Sequence, residues 1–242
     1  MNKQTMCCAN VVFGILLAAI AAAPLEAAYT TGNLLTDPSF ENNPLGNYVQ
    51  ILGPPNNTNV WGAEMGALSG AAFGITPASG AVMLGMSDDG GLTTQSFQLI
   101  DVSPYAVDIN ANLVTVDASG LFNTPATIAA AVSSVSVTYL DNTYASLGFS
   151  IVGSNTLSGG FVDNNVTTWE AINIVGAAVP ANTTYLLMQF AYNNASLFDS
   201  QGVPGVGFVD DASLTLTAVP EPSSLLLAAL AAIGLLAWRI RK

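Results

Sequence analysis

Of the side chains able to do chemistry, this sequence offers carboxylates and little else. It holds 16 Asp and Glu, no His, and 2 Cys, at Cys7 and Cys8. The four basic residues, Lys3, Arg239, Arg241 and Lys242, all lie at the ends, so residues 28–219 carry 14 acids and no base. That interior can make no Lys or Arg ion pair and presents no cationic surface to phosphate, which excludes nucleic-acid binding. Without His there is no His-based triad and no His-ligated metal. Without a Cys in the body there is neither a thiol nucleophile nor a disulfide. Paired carboxylates alone can hydrolyse glycosides, but no strand-end pair stands out, and Asp88-Asp89 before Gly90-Gly91 reads as a turn. Phosphate-binding glycine loops, G-x-S-x-G and Cys-x-x-Cys are all missing. The sequence predicts a protein that is not an enzyme.

One carboxylate is placed awkwardly. Val206, Phe208, Ala212, Leu214 and Leu216 fall on one strand parity, opposite Ser213, Thr215 and Thr217, and Asp210 shares the apolar parity. A buried carboxylate without compensation costs several kcal/mol or stays protonated. A hard cation such as Ca²⁺, which accepts carboxylate, carbonyl and water oxygens, is one solution. The other is that a β-bulge turns Asp210 outward, with the neighbouring acids capping turns. A cation would also relieve the self-repulsion of an all-acidic body.

The elements that must position these groups lie between two apolar ends. Lys3 precedes an uncharged run from Val11 to Ala23 and then Leu25-Glu26-Ala27, the plan of a secretory signal peptide. Cleavage is expected after Ala27 or a few residues earlier. Cys7 and Cys8 precede the apolar run, so neither suits a lipoprotein acceptor. At the other end, Val219-Pro220-Glu221-Pro222 leads into the uncharged run Leu225–Trp238 and the basic tip Arg239-Ile240-Arg241-Lys242. That run is expected to form a short transmembrane helix with its C-terminus in the cytoplasm. Between the ends, turn clusters such as Gly53-Pro54-Pro55-Asn56-Asn57 and Gly159-Gly160 separate short segments rich in Val, Thr, Tyr and Phe. Val135, Val137 and Tyr139 alternate with Ser136 and Thr138, and Leu186, Met188, Phe190 and Tyr192 share one face. The period of two predicts an all-β, two-sheet antiparallel sandwich. Residues 125–132 are ambiguous between a helical turn and a loop. The domain plan is a signal peptide over 1–27, a sandwich over 28–218 and a sorting segment over 219–242.

The ordered tail of Pro-Glu-Pro, short apolar helix and basic tip resembles the PEP-CTERM sorting signal of exported bacterial proteins. The resemblance implies recognition by an exosortase and processing near Val219, Pro220, Glu221 and Pro222. In the body, the opening Asn33-Leu34-Leu35 and Ser39-Phe40-Glu41 resemble, together with Gln95-Ser96-Phe97, Thr168-Trp169-Glu170 and Val209-Asp210-Asp211, the galactose-binding-like jelly roll of carbohydrate-binding modules. In that family a structural calcium often ties the first strand to the last. Carried over, its ligands would be Glu41, Asp210 and Asp211, with Asp37 a less specific neighbour. Candidate glycan contacts are the loop aromatics Tyr48, Trp61, Tyr105, Tyr144 and Phe198; Trp169 reads as core. The functional expectation is an exported envelope or extracellular-matrix protein, of the biofilm matrix, with a structural or interaction role. The alternative is a module binding exopolysaccharide, and a glycoside hydrolase is the weakest reading.

Overall fold

The computed structural model describes residues 28–42, 49–50, 57–63, 66–87, 93–127, 131–153, 161–163, 165–193 and 206–219. The expected signal peptide, residues 1–27, and residues 220–242 lie outside this set. One sheet contains β1 (Tyr29–Thr30), β4 (Gly66–Ser69), β5 (Met83–Ser87), β7 (Val114–Asn123), β11 (Glu170–Ala178) and β13 (Val206–Ala218). Its order is β11-β7-β13-β5-β4, with β1 beside β13. The second sheet contains β2 (Val49–Gln50), β3 (Trp61–Ala63), β6 (Thr93–Asp101), β8 (Ala131–Leu140), β9 (Ser146–Val152), β10 (Phe161–Val162) and β12 (Tyr185–Asn193). It runs β10-β8-β12-β6-β3-β2, with β9 also paired to β8. The pairings among β3 to β13 are antiparallel, and β2 runs parallel to β3. A 3-10 turn, Ser103–Tyr105, and a short helix α1 (Ala106–Asn110) follow β6. This is the two-sheet sandwich that the alternation predicts.

The core lies between the sheets and follows from the period of two. On β12, Leu186, Met188, Phe190 and Tyr192 are buried, and on β8 so are Val135, Val137 and Tyr139. They meet Val114, Val116, Ala118 and Phe122 of β7 and Leu214 and Leu216 of β13. An aromatic chain crosses this layer. Phe40 tilts on Trp61 with centroids 5.2 Å apart, Trp61 stacks on Phe190 at 5.6 Å, and Phe122 meets both Phe190 and Tyr192 edge-on. The Tyr192 hydroxyl donates to the carbonyls of Asn123 and Phe208, so its polar tip is satisfied inside. The ambiguous segment resolves in part: Ala131 onward is strand β8, and Ala126 and Thr127 form a turn.

β13 does not keep one parity throughout. Its register against β7 shifts between Asp210 and Ser213, the signature of a bulge. Asp211 sits there at φ 45°. Beyond the bulge Leu214 pairs with Ala118, on the inner face; before it Val209 pairs with Phe122, also inner. Phe208 and Asp210 therefore face away from the inter-sheet core. Phe208 instead joins Ile75 and Met83 in a satellite cluster under the segment that contains Ala72.

The opening segment is sewn to this strand. The amide of Leu34 donates to the Leu214 carbonyl and that of Ala212, freed by the bulge, to the Pro38 carbonyl. Asn33 donates through Nδ2 to the Ala212 carbonyl and accepts from the Leu214 amide at Oδ1. From the opposite sheet, buried Gln98 accepts from the Thr36 amide and donates to the Thr36 carbonyl. Trp61 Nε1 donates to the carbonyls of Thr36 and Asp37.

Candidate functional site

The expectation that Asp210 shares the core face of Leu214 is corrected by the bulge, which inverts the pleat between them. Asp210 is nevertheless fully buried, because the turn Ala78–Gly80 closes over it. Its Oδ2 accepts from the amides of Ala78 at 2.8 Å and Ser79 at 3.3 Å, and its Oδ1 from the amide of Asp211 at 2.8 Å. Burial pushes its carboxyl up to about 6; these amide bonds oppose the rise and the Asp211 charge adds to it. Asp211 Oδ1 accepts from the Ser79 hydroxyl at 2.6 Å. From the other end of the domain, Glu41 Oε1 accepts from the amides of Ala81 at 2.8 Å and Val82 at 2.7 Å. The structure thus brings Glu41, Asp210 and Asp211 to a single segment, residues 78–82.

A calcium ion needs converging oxygen lone pairs. Here the three carboxylates are engaged by N–H and O–H donors of the shared segment, and among the described residues no three acids gather closely enough to hold one ion. Gly80 leaves no gap beside Glu41, since a Cβ built there would fall 2.4 Å from the Glu41 carboxyl carbon. The donor set fits carboxylates against amides and does not fit a cation cage. Asp37, the weaker neighbour, spends Oδ1 on the Asn42 amide, while its Oδ2 is buried without a partner.

The aromatic candidates divide. Trp61 is 1% exposed and stacked within the core, so its expected glycan contact is corrected: Phe40 and Phe190 occupy its faces. Tyr105 is half-buried at the end of the 3-10 turn. Tyr48 and Phe198 lie outside the described residues. Trp169 is half-buried against the satellite cluster and donates to the Thr76 carbonyl.

Of the aromatic candidates among the described residues, Tyr144 is the one left exposed. It is 53% exposed and stacks on Tyr185 with centroids 4.8 Å apart and planes 19° from parallel. Asp141 builds the turn that carries it, with Oδ1 accepting from the Thr143 amide, the Thr143 hydroxyl and the Ala145 amide. These bonds, that of the Thr143 hydroxyl foremost, hold the Asp141 carboxyl below its usual range. Tyr144 itself adopts φ 65°, a strained conformation for a bulky residue. Tyr185 had no turn context in the sequence to single it out; its position opposite Leu140 on β12 brings it there.

A further acidic pair escaped the sequence reading. Glu170 opens β11 directly across from buried Phe122, which carries its Oε2 into a buried position without a donor. Burial, then a shared hydrogen bond with Asp163 and the charge of Asp163, push the Glu170 carboxyl up to about 7. The Thr168 hydroxyl donates to its other oxygen at 3.2 Å. The protonated form of Glu170 is thereby favoured.

Of the sorting residues, Val219 is half-exposed just beyond β13; Pro220, Glu221 and Pro222 lie outside the described residues. Among the described residues no helix is long and apolar enough to cross a membrane, and the run Leu225–Trp238 is not among them. Residues 218–242 match the PEP-CTERM protein-sorting motif, a signal of exported, exosortase-processed proteins. No curated protein matches the chain in sequence. Among solved structures, the N-terminal CBM22 tandem domain of Xyn10C from Paenibacillus barcinonensis is 14% identical with a TM-score of 0.49, over 81% of this chain and 49% of that one. A CBM61 structure in complex with β-1,4-galactotriose is 11% identical with a TM-score of 0.45, over 79% of this chain and 100% of that one. The enzymatically active domain of tailspike protein 4 from bacteriophage CBA120 has the same identity, 11%, and TM-score, 0.45, over 75% of this chain and 21% of that one. The likeness is one of fold.

Proposed function

We propose that this chain is an exported envelope or extracellular-matrix protein whose sandwich serves as a non-catalytic structural or interaction module, delivered by an exosortase acting on its C-terminus. The observation that carries the reading is the sorting motif over residues 218–242. The body between the two ends supports it by holding neither His nor Cys, which leaves no His-activated or thiol nucleophile there. Deleting Pro220–Lys242 should release the body into the medium. Replacing Pro220, Glu221 and Pro222 by Ala should leave an unprocessed, membrane-held form, seen as a larger band in the membrane fraction. An Ala variant processed and located like wild type overturns the sorting reading.

A second reading, binding of an envelope polysaccharide, is favoured by the exposed Tyr144 stacked on Tyr185. A flat aromatic face suits the apolar side of a sugar ring, and the strain at Tyr144 holds it outward at some conformational cost. The full chain on a glycan array should retain a sugar-specific signal that Tyr144→Ala removes. Silence of the wild type across the array leaves the structural role alone.

A further inference from the structure

We infer that the acidic cluster joining the two ends of the sandwich is closed by the backbone of residues 78–82 acting as an amide clasp, and that it needs no bound cation. The segment contributes five donors: the amides of Ala78, Ser79, Ala81 and Val82 and the hydroxyl of Ser79. One side of the clasp holds Glu41, from the opening segment, and the other holds Asp210 and Asp211, from the last strand. The positive charge that the body's side chains cannot supply is replaced by oriented N–H dipoles, which favour anions without a metal. Charge-assisted bonds of this kind are shorter and stronger than neutral ones, as the 2.6–2.8 Å contacts of Ser79, Ala81 and Val82 illustrate.

Gly80 is what lets one short segment serve both sides. At φ +58° it reverses the chain between the two donor pairs, and its bare Cα lies against the Glu41 carboxylate, where a side chain would come within 2.4 Å of Cδ. The space that an ion would need beside Glu41 is taken by this backbone. A calcium ion bound through Glu41 Oε1 would compete with the Ala81 and Val82 amides for that oxygen.

The test uses the full chain in detergent. Its melting temperature is measured with EDTA, with millimolar CaCl₂, and with MgCl₂ or NaCl at matched ionic strength, and hydrogen exchange of the 78–82 amides is followed in EDTA. The clasp predicts equal melting in EDTA and calcium, or a calcium effect that magnesium and NaCl reproduce, which is screening of the acidic surface. It also predicts exchange protection at Ala81 and Val82 in EDTA. Gly80→Ala should lower the melting temperature equally with and without calcium. Glu41→Gln, which keeps one oxygen to accept both amides, should lower it less than Glu41→Ala. A stabilisation specific to calcium, abolished by EDTA and absent from Glu41→Gln, would overturn the inference. So would unprotected Ala81 and Val82 amides in EDTA. Both wild-type readouts stand even if Gly80→Ala fails to fold.

Discussion

Replacing Gly120 by Ala puts a single methyl group into a tight point between the two sheets. Gly120 lies on the inner face of β7, and a Cβ there would stand 2.5 Å from Cε1 of Phe190, 3.0 Å from Cζ and 3.3 Å from Cδ1. Carbon atoms rest about 3.5–4.0 Å apart, so the ring must retreat by about 1 Å. It has little room to do so, being stacked on Trp61 and met edge-on by Phe122. Overpacking of this kind costs about 1–3 kcal/mol. The backbone of Gly120 has no positive φ, so Ala also gains about 0.4–1 kcal/mol by restricting the unfolded chain. The net expectation is a loss of about 1–2 kcal/mol, or roughly 3–8 °C in melting temperature for a domain of this size. Calorimetry of the full chain in detergent measures it. Phe190→Leu in the same chain should relieve the overlap, giving a double-mutant coupling of about 1 kcal/mol. A Gly120→Ala chain as stable as wild type or more so would refute the argument, because the overlap with Phe190 would then cost no more than the gain in chain entropy.

Glu170 predicts a pH dependence of definite sign. Because its carboxyl is raised from 4.5 to about 7, the folded state binds the extra proton between these values, and stability falls as pH rises through them. At ~1.4 kcal/mol per pH unit, discounted for the solvent screening of a part-exposed group, the loss is about 1–2 kcal/mol. Glu170→Gln should flatten urea-unfolding stability between pH 6 and 8, about the upper part of that window. The slope below about 6 should persist, since Asp210 is raised in the same sense; an unchanged slope above pH 6 would contradict the reading. Trp61→Phe removes an indole donor to the Thr36 and Asp37 carbonyls and leaves a void between Phe40 and Phe190. It should cost about 2–3 kcal/mol in denaturant unfolding, where a rim tryptophan would cost almost nothing.

Local sequence carries the parts of this fold that local physics decides. The alternation of Val135, Val137 and Tyr139, and of Leu186 through Tyr192, is the pleat itself, so those faces are readable before any partner strand is known. The bulge is not readable in that way. Val206 to Leu216 look continuous in parity, and only the register against β7 reveals that Asp211 has changed the face of Asp210. Trp61 stands among turn-forming residues, yet its burial is set by Phe40 and by Phe190, far along the chain. Glu41, Asp210 and Asp211 do share a neighbourhood, but the partners of Glu41 and Asp210 are backbone amides, which no residue type announces. The one visible hint was Gly80, placed after a Thr-Pro-Ala-Ser turn where a left-handed residue is often needed. Glu170 went unnoticed for a related reason: its unusual acidity depends on facing Phe122 and Asp163, neither of which is adjacent to it.

The last strand also has a mechanical meaning. β13 runs for 13 residues, flanked by β7 along most of its length and by β5 over its first residues, with the Thr31 amide joined to Leu216 near its end. The chain leaves it at Val219, and a pull on the C-terminal tail directed along the strand would load it lengthwise. The ladder hydrogen bonds lie across that axis, and such a load strains them together in shear instead of peeling them one at a time. To slide, the strand would also have to drag its bulge, with Asp210 and Asp211, out of the turn at Ser79. For a body held by its tail against flow, the attachment runs into a long strand paired with β7 over most of its length and pinned by the turn at Ser79, so its ladder would resist such a load as a unit.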